Sequence, residues 1–236
     1  MVPLHDNNPT RITPFVTYGF IGLNIFIFLY QVSLPIPELQ QFVEAYAVIP
    51  KQLTTSFQSG DWAQIGPQVM TLFTSQFLHG GFLHLGGNML FLWIFGNNIE
   101  DQLGHVRFII FYLLCGALAA LTQWFFSMSS PIPMLGASGA IAGVLGAYII
   151  RFPKARVLTL IPLGFFIIPI RIPAIFFLGF WFLQQALYSV ASLQVRTTIG
   201  MEEGGVAYWA HAGGFVFGVI LGPLLGLFSD REPASR

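Results

Sequence analysis

Residues 210–226 read Ala-His-Ala-Gly-Gly-Phe-Val-Phe-Gly-Val-Ile-Leu-Gly-Pro-Leu-Leu-Gly. The run carries no formal charge, and its single ionisable side chain is His211. Ala210, Gly214, Gly218, Gly222 and Gly226 recur at every fourth position, which on a helix sets them along one ridge. An apolar helix with a ridge of small residues suits a membrane span packed closely against a second helix. A histidine near the start of such a span needs a reason, because ionisable groups in a bilayer are expensive.

The rest of the chain is of the same kind. Its 236 residues are 55% hydrophobic, 16% aromatic and only 8% charged, where soluble domains carry roughly 25% charged residues. With a mean hydropathy of +0.71, the composition excludes a water-soluble globule and a disordered chain. The formal net charge is +0, so there is no electrostatic case for nucleic acid as a partner. Cys115 is the single cysteine. It allows neither an internal disulfide nor a cysteine metal cluster and reads as a small buried hydrophobe.

Charge-free intervals and their breaks predict an all-α, polytopic membrane protein, one domain over residues 1–236. Its six spans cover about 15–34, 83–99, 107–127, 137–151, 172–194 and 206–228. Residues 1–11 read as a short polar tail without the layout of a cleavable signal, so the first span is expected to remain as an anchor. The segment Val157 to Ile170 is short, contains Pro162 and Pro169, and reads as an interfacial or partly buried connector. Residues 35–82 form a long external loop, too short for a further folded domain and too apolar for a free linker. It is expected to lie in the outer interfacial layer.

Orientation follows from Lys and Arg. With both termini cytoplasmic, Arg11, Arg107, Arg151, Lys154, Arg156, Arg171, Arg231 and Arg236 lie inside, and only Lys51 and Arg196 lie outside. Spans two, four and six then run from outside to inside.

Three polar clusters sit at the outer ends of those three spans. They are His79-Gly-Gly-Phe-Leu-His84-Leu-Gly-Gly-Asn88, Gly136-Ala-Ser138-Gly139 and Ala210-His211-Ala-Gly-Gly214. His84 and Asn88 are four apart and share a helix face. Span four repeats the small-residue spacing at Gly139, Gly143 and Ala147. If this stripe faces that of span six, Ser138 and His211 can meet. A serine hydroxyl becomes a nucleophile when a neutral imidazole takes its proton. His84, Asn88 and the Ser138 amide, at a helix N-terminus, could supply oxyanion donors. No carboxylate lies near these ends apart from the loop pair Glu202 and Glu203. The chemistry therefore reads as a Ser–His dyad with packing, rather than an acid, orienting the ring.

At these residues the chain resembles the rhomboid family of intramembrane serine proteases, over roughly residues 12–229. His84-Leu-Gly-Gly-Asn88 looks like the family's HxxxN, Gly136-Ala-Ser138-Gly139 like its GxSG, and the run from Ala210 to Gly218 like its AHxxGxxxG. Glu100, Gly104 and Arg107 also resemble a family pattern. The resemblance implies a rhomboid-like six-helix bundle with Ser138 as nucleophile and His211 as base. It implies His84, Asn88 and the Ser138 backbone as the oxyanion site, with His79 in local water and loop structure. Gly136, Gly139 and Gly214 would support the site. It implies transmembrane protein substrates cut near their outer ends in the lipid bilayer, without metal, nucleotide or other cofactor. The fifth span and a cap around Thr197 to Val206 would move to admit them.

The chain departs from the family pattern in two places. Met70 and Thr71 replace a Trp-Arg pair in the first external loop, and Ala142 stands where some members stack an aromatic ring on the histidine.

Other readings remain open at this point. A metal site of His79, His84 and His211 is disfavoured by the five-residue spacing of the first two and the lack of a carboxylate partner. A transporter would need polar groups continuing into the inner halves of the spans. A catalytically silent, client-binding relative would more naturally lack Ser138 or His211. His105, beside Asp101 and Arg107, reads as a solvated turn residue. The absence of appended domains suggests a prokaryotic plasma membrane.

Overall fold

The computed structural model describes residues 1–163, 166–194 and 207–229. The expected cap from Thr197 to Val206 lies outside them. In chain order the elements are β1 (Val2–Asp6), α1 (Phe15–Ser33), α2 (Ile36–Tyr46), α3 (Pro50–Ser59), α4 (Trp62–Thr74), α5 (Phe82–Phe91), α6 (Asn97–Leu103), α7 (His105–Phe126), α8 (Ser138–Arg151), β2 (Arg156–Leu163), β3 (Phe166–Pro173), α9 (Ala174–Gln194) and α10 (Tyr208–Leu224). Among the described residues, three helices are long and apolar enough to cross a membrane: α1, α7 and Ala174–Ser192 within α9. The shorter α8 and α10 are apolar too. A π-helical turn at Leu92–Gly96 joins α5 to α6, so the chain is helical from Phe82 to Leu103.

The centre of the molecule is the seam between α8 and α10. Cβ atoms built on Gly214 and Gly218 would overlap the carbonyl oxygens of Gly139 and Gly143, and one built on Gly146 would overlap that of Phe215. The two small-residue stripes therefore face each other with backbones in direct contact. The other side of α8 meets α7: a Cβ on Gly139 would stand 2.7 Å from Ala119 Cβ, and one on Gly143 2.5 Å from Cys115 Cβ. Cys115 is fully buried there as a small hydrophobe.

At the far end of α8 from Ser138, two acidic residues hold the start of α1. Pro14 offers α1 no capping side chain. Glu100, fully buried, takes that role. It accepts from the Val16 and Thr17 amides at 2.9 and 2.7 Å and from the Thr17 hydroxyl at 2.7 Å. Asp101 accepts from the Arg11 and Ile12 amides at 2.9 and 3.1 Å. His105 is not simply solvated: its Nδ1 lies 2.6 Å from Glu100 Oε1. Glu100→Ala orphans the buried Thr17 amide and the half-buried Val16 amide and is expected to cost about 3–5 kcal/mol. Arg11→Ala removes a largely exposed guanidinium and is expected to cost under about 1 kcal/mol. Denaturation in mixed detergent micelles measures both, and equal effects would contradict this ranking.

Two expectations need correction. The fold is mostly helical but not all-α, because β1, β2 and β3 form an antiparallel sheet in that order. The connector over residues 157–170 is a hairpin in which Leu160 pairs with Pro169 and Pro162 with Ile167. The prolines deny it a helix, and its Val and Ile residues favour extended backbone. The polar tail supplies β1, with Val2 opposite Leu160. Asp6 there accepts from the Tyr148 hydroxyl and, at 3.1 Å, from Asn98 Nδ2.

Residues 35–82 likewise form more than an interfacial loop. Prolines open α2 and α3, and Asp61 caps α4 by accepting from the Ala63 amide at 2.9 Å. Val48, Leu53 and Leu72 bury against Ala117 and Ala120 of α7. Trp124 of α7 donates to the Thr54 hydroxyl at 2.9 Å. At the first departure from the family pattern, Met70 is exposed and Thr71 is buried with its hydroxyl bonded to the Gln68 carbonyl at 2.6 Å.

Candidate active site

The three polar clusters meet where α5, α8 and α10 begin. Ser138 is the first residue of α8, and His211 lies in the first turn of α10. The seam contact between Gly139 and Gly214 fixes their relation. Ser138 precedes one of these glycines by a single residue, and His211 precedes the other by one helical turn. Both side chains are partly buried.

Gly136 joins this pair to α5. A Cβ built on it would stand 2.8 Å from His84 Nε2 and 3.7 Å from Asn88 Nδ2. Its φ of +125° is also one that side-chain-bearing residues rarely adopt. Glycine is therefore required here both by the backbone and by the neighbours. The Gly136 amide donates to the Ser75 carbonyl at 2.9 Å, which pins the strand of chain leading into Ser138.

His84 Nδ1 faces the Gly80 amide at 3.4 Å. A ring nitrogen that accepts from an amide leaves the proton on the other one, so Nε2, toward Gly136, is a donor. Asn88 is buried, and its Nδ2 makes no hydrogen bond among the described residues. Two donors thus converge beside the amide end of α8.

His79 is buried with its ring edge-on to His84, centroids 5.2 Å apart. Gln31 of α1 holds its backbone. Gln31 Oε1 accepts from the His79 amide at 3.0 Å, and Gln31 Nε2 donates to its carbonyl at 3.3 Å.

The ring of His211 is held from α9. Its Nδ1 lies 2.8 Å from Gln185 Oε1, and the Trp181 ring is tilted against it at 5.8 Å between centroids. Ala142, where an aromatic might have stood, instead fills the seam 3.2 Å from the Cβ position of Gly214. Gln31, Trp181 and Gln185 were not among the residues expected at the site. One signal was present: Gln185 is an uncharged polar residue in an otherwise apolar span, the kind that seeks a partner.

A mostly helical bundle with apolar outer faces and a cluster of polar side chains where α5, α8 and α10 begin is the build of a multi-pass membrane protein. The chain belongs to the rhomboid family: the Rhomboid domain matches residues 66–228. It is 31% identical over 94% of its length to Rhomboid protein 1, mitochondrial, of Saccharomyces cerevisiae, covering 56% of that protein. It is 32% identical over 92% of its length to the Rhomboid protease GluP of Bacillus subtilis, covering 37% of that protein. With the bovine Presenilin-associated rhomboid-like protein, mitochondrial, it shares 29% identity over 85% of its length, covering 46% of that protein. The chain therefore spans about half or less of the length of these curated relatives.

Proposed function

We propose that this chain is an intramembrane serine protease that hydrolyses peptide bonds in or near transmembrane segments of membrane proteins. The observation that carries the reading is the α8–α10 seam, whose glycine contacts bring together the starts of the two helices that carry Ser138 and His211. The protease named among the relatives supports it.

In this mechanism Ser138 Oγ attacks the scissile carbonyl carbon as its proton passes to His211 Nε2. The oxygen of the tetrahedral adduct takes hydrogen bonds from His84 Nε2, Asn88 Nδ2 and the Ser138 amide. His211 then gives its proton to the leaving amine, the C–N bond breaks, and an acyl-Ser138 ester remains. Water, deprotonated by the same imidazole, attacks the ester and restores the serine. Every step is acid–base and nucleophilic chemistry within reach of these groups.

The six-span topology belongs to the same proposal, with α5–α6 as the second span and α8 and α10 as the fourth and sixth. In this reading both termini lie inside, and for the N-terminal segment the Glu100 clamp and the Asp6–Tyr148 contact support it by tying that segment to the end of the bundle opposite Ser138. The relatives divide on the membrane: the yeast and bovine proteins are mitochondrial by name, and the third is from a bacterium.

A fluorophosphonate probe tests the activated serine in detergent. Labelling of the wild-type protein that Ser138→Ala removes supports the reading, and undiminished labelling of Ser138→Ala rejects it. Asn88→Ala removes one oxyanion donor and is expected to lower kcat by about 10²–10³-fold. A change in KM alone, with kcat preserved, would place Asn88 outside the oxyanion site.

A further inference from the structure

We propose that Gln185 of α9 is a positioning residue for the dyad, setting the tautomer and ring plane of His211; this rests on the protease reading above. In dyad chemistry the imidazole must present a bare Nε2 to the serine, which requires the proton on Nδ1. In triads a carboxylate enforces that choice. Here no carboxylate reaches His211 among the described residues, and Gln185 Oε1 stands 2.8 Å from Nδ1 in its place. An amide oxygen only accepts, so the contact selects the Nδ1–H form.

The acceptor is itself well fixed. Gln185 is 8% exposed. Its neighbour one turn earlier, Trp181, lies against the same imidazole and against Phe215 of α10, at 5.8 and 6.3 Å between centroids. Phe182 stacks on Phe215 at 4.5 Å. Trp181 and Gln185 are four apart, so one face of α9 delivers both an aromatic wall and a hydrogen-bond acceptor. An amide also polarises less than a carboxylate but avoids burying a second charge beside a ring that must become cationic only transiently.

The assignment has a structural consequence. The nucleophile and base are carried by α8 and α10, whose seam is closed by backbone contact. The acceptor is carried by α9, whose outward face leaves Phe176, Phe180, Leu183 and Leu187 exposed. The competent tautomer is thus tied to the docked position of α9, and movement of α9 away from α10 withdraws it.

Two variants test this. Gln185→Met keeps the shape and removes the strong acceptor; Gln185→Glu keeps an acceptor. Cleavage of a transmembrane peptide in bicelles is expected to show kcat reduced about 10–100-fold in Gln185→Met, the kinetic equivalent of one hydrogen bond to a charged imidazolium. KM is expected to stay within about twofold. Gln185→Glu is expected to recover most of the lost rate. In a selectively ¹⁵N-histidine-labelled protein, the Nδ1-protonated signature of His211 is expected in the wild type and in Gln185→Glu, and to be lost in Gln185→Met. A wild-type kcat in Gln185→Met, equally slow Met and Glu variants, or an unchanged His211 spectrum in Gln185→Met would each overturn the assignment. The ring spectrum does not depend on catalysis. An active Ser138→Ala protein would therefore strike the dyad reading, while the Gln185 contact would still stand or fall by that spectrum.

Discussion

Ser138→Ala and His211→Ala are each expected to reduce cleavage of a transmembrane substrate by at least about 10⁴-fold while leaving the protein folded. Under the proposed mechanism, alanine at 138 removes the atom that attacks, and alanine at 211 removes the group that takes its proton and later returns it. Because the two act as one unit, the double variant is expected to be little slower than either single one. The fold should tolerate both changes, since neither side chain forms the seam: the helix contact is made by Gly139, Gly143, Gly214 and Gly218. The assay is turnover of a purified transmembrane peptide, with thermal unfolding in the same detergent as the control for folding. Cleavage by either variant at the wild-type rate would reject the dyad, and loss of folding in His211→Ala would assign that residue to packing.

Gly218→Ala is expected to damage the protein far more than its single added methyl suggests. The new Cβ would overlap the Gly143 carbonyl and stand 2.5 Å from that carbonyl carbon and 2.6 Å from Gly143 Cα. Backbone cannot rotate out of the way as a side chain can, so α8 and α10 must separate. The expected cost is at or above the upper end of the ~1–3 kcal/mol seen for overpacked cores, with loss of cleavage because Ser138 and His211 part with the helices. Gly22→Ala in α1 is the matched control. A Cβ there meets nothing within 4 Å, and alanine favours a helix over glycine by about 1 kcal/mol. Detergent-induced unfolding of both variants gives the comparison. A Gly218→Ala protein as stable as Gly22→Ala would mean that the seam is not closed in the membrane.

The parts legible in the sequence are those governed by local rules. Charge-free runs located α1, α7 and α9, because a bilayer excludes charge wherever the chain crosses it. The four-residue spacing of Gly139, Gly143 and Gly214, Gly218 announced a close helix pair, because small residues at helical period have few other uses. His84, Asn88, Ser138 and His211 stood out as polar groups in apolar surroundings. What escaped was set by distant partners. Residues 1–11 look like a tail until Leu160 is known to lie opposite Val2. Residues 157–170 look like a connector because strand pairing leaves a weaker periodic mark than a helix, especially with both faces apolar. Gln185 is polar in an apolar span, but its partner His211 comes from another helix, and nothing local says which polar group meets which. The compensation for Ala142 was invisible for the same reason: Trp181 reaches the ring from α9 rather than from α8.

The small sheet also bears on how the molecule is made. Asn7 accepts a hydrogen bond from the Arg156 amide, 149 residues later in the chain. Leaving the ribosome, β1 is an unpaired strand with no partner yet in existence. The Glu100 clamp on α1 closes sooner, across 84 residues, so the first helix is fastened while the first strand still waits. Loop-closure entropy grows only slowly with length, so the delay costs little at equilibrium. It sets an order of events instead: the end of the bundle opposite the serine is sealed only after α8 has been made.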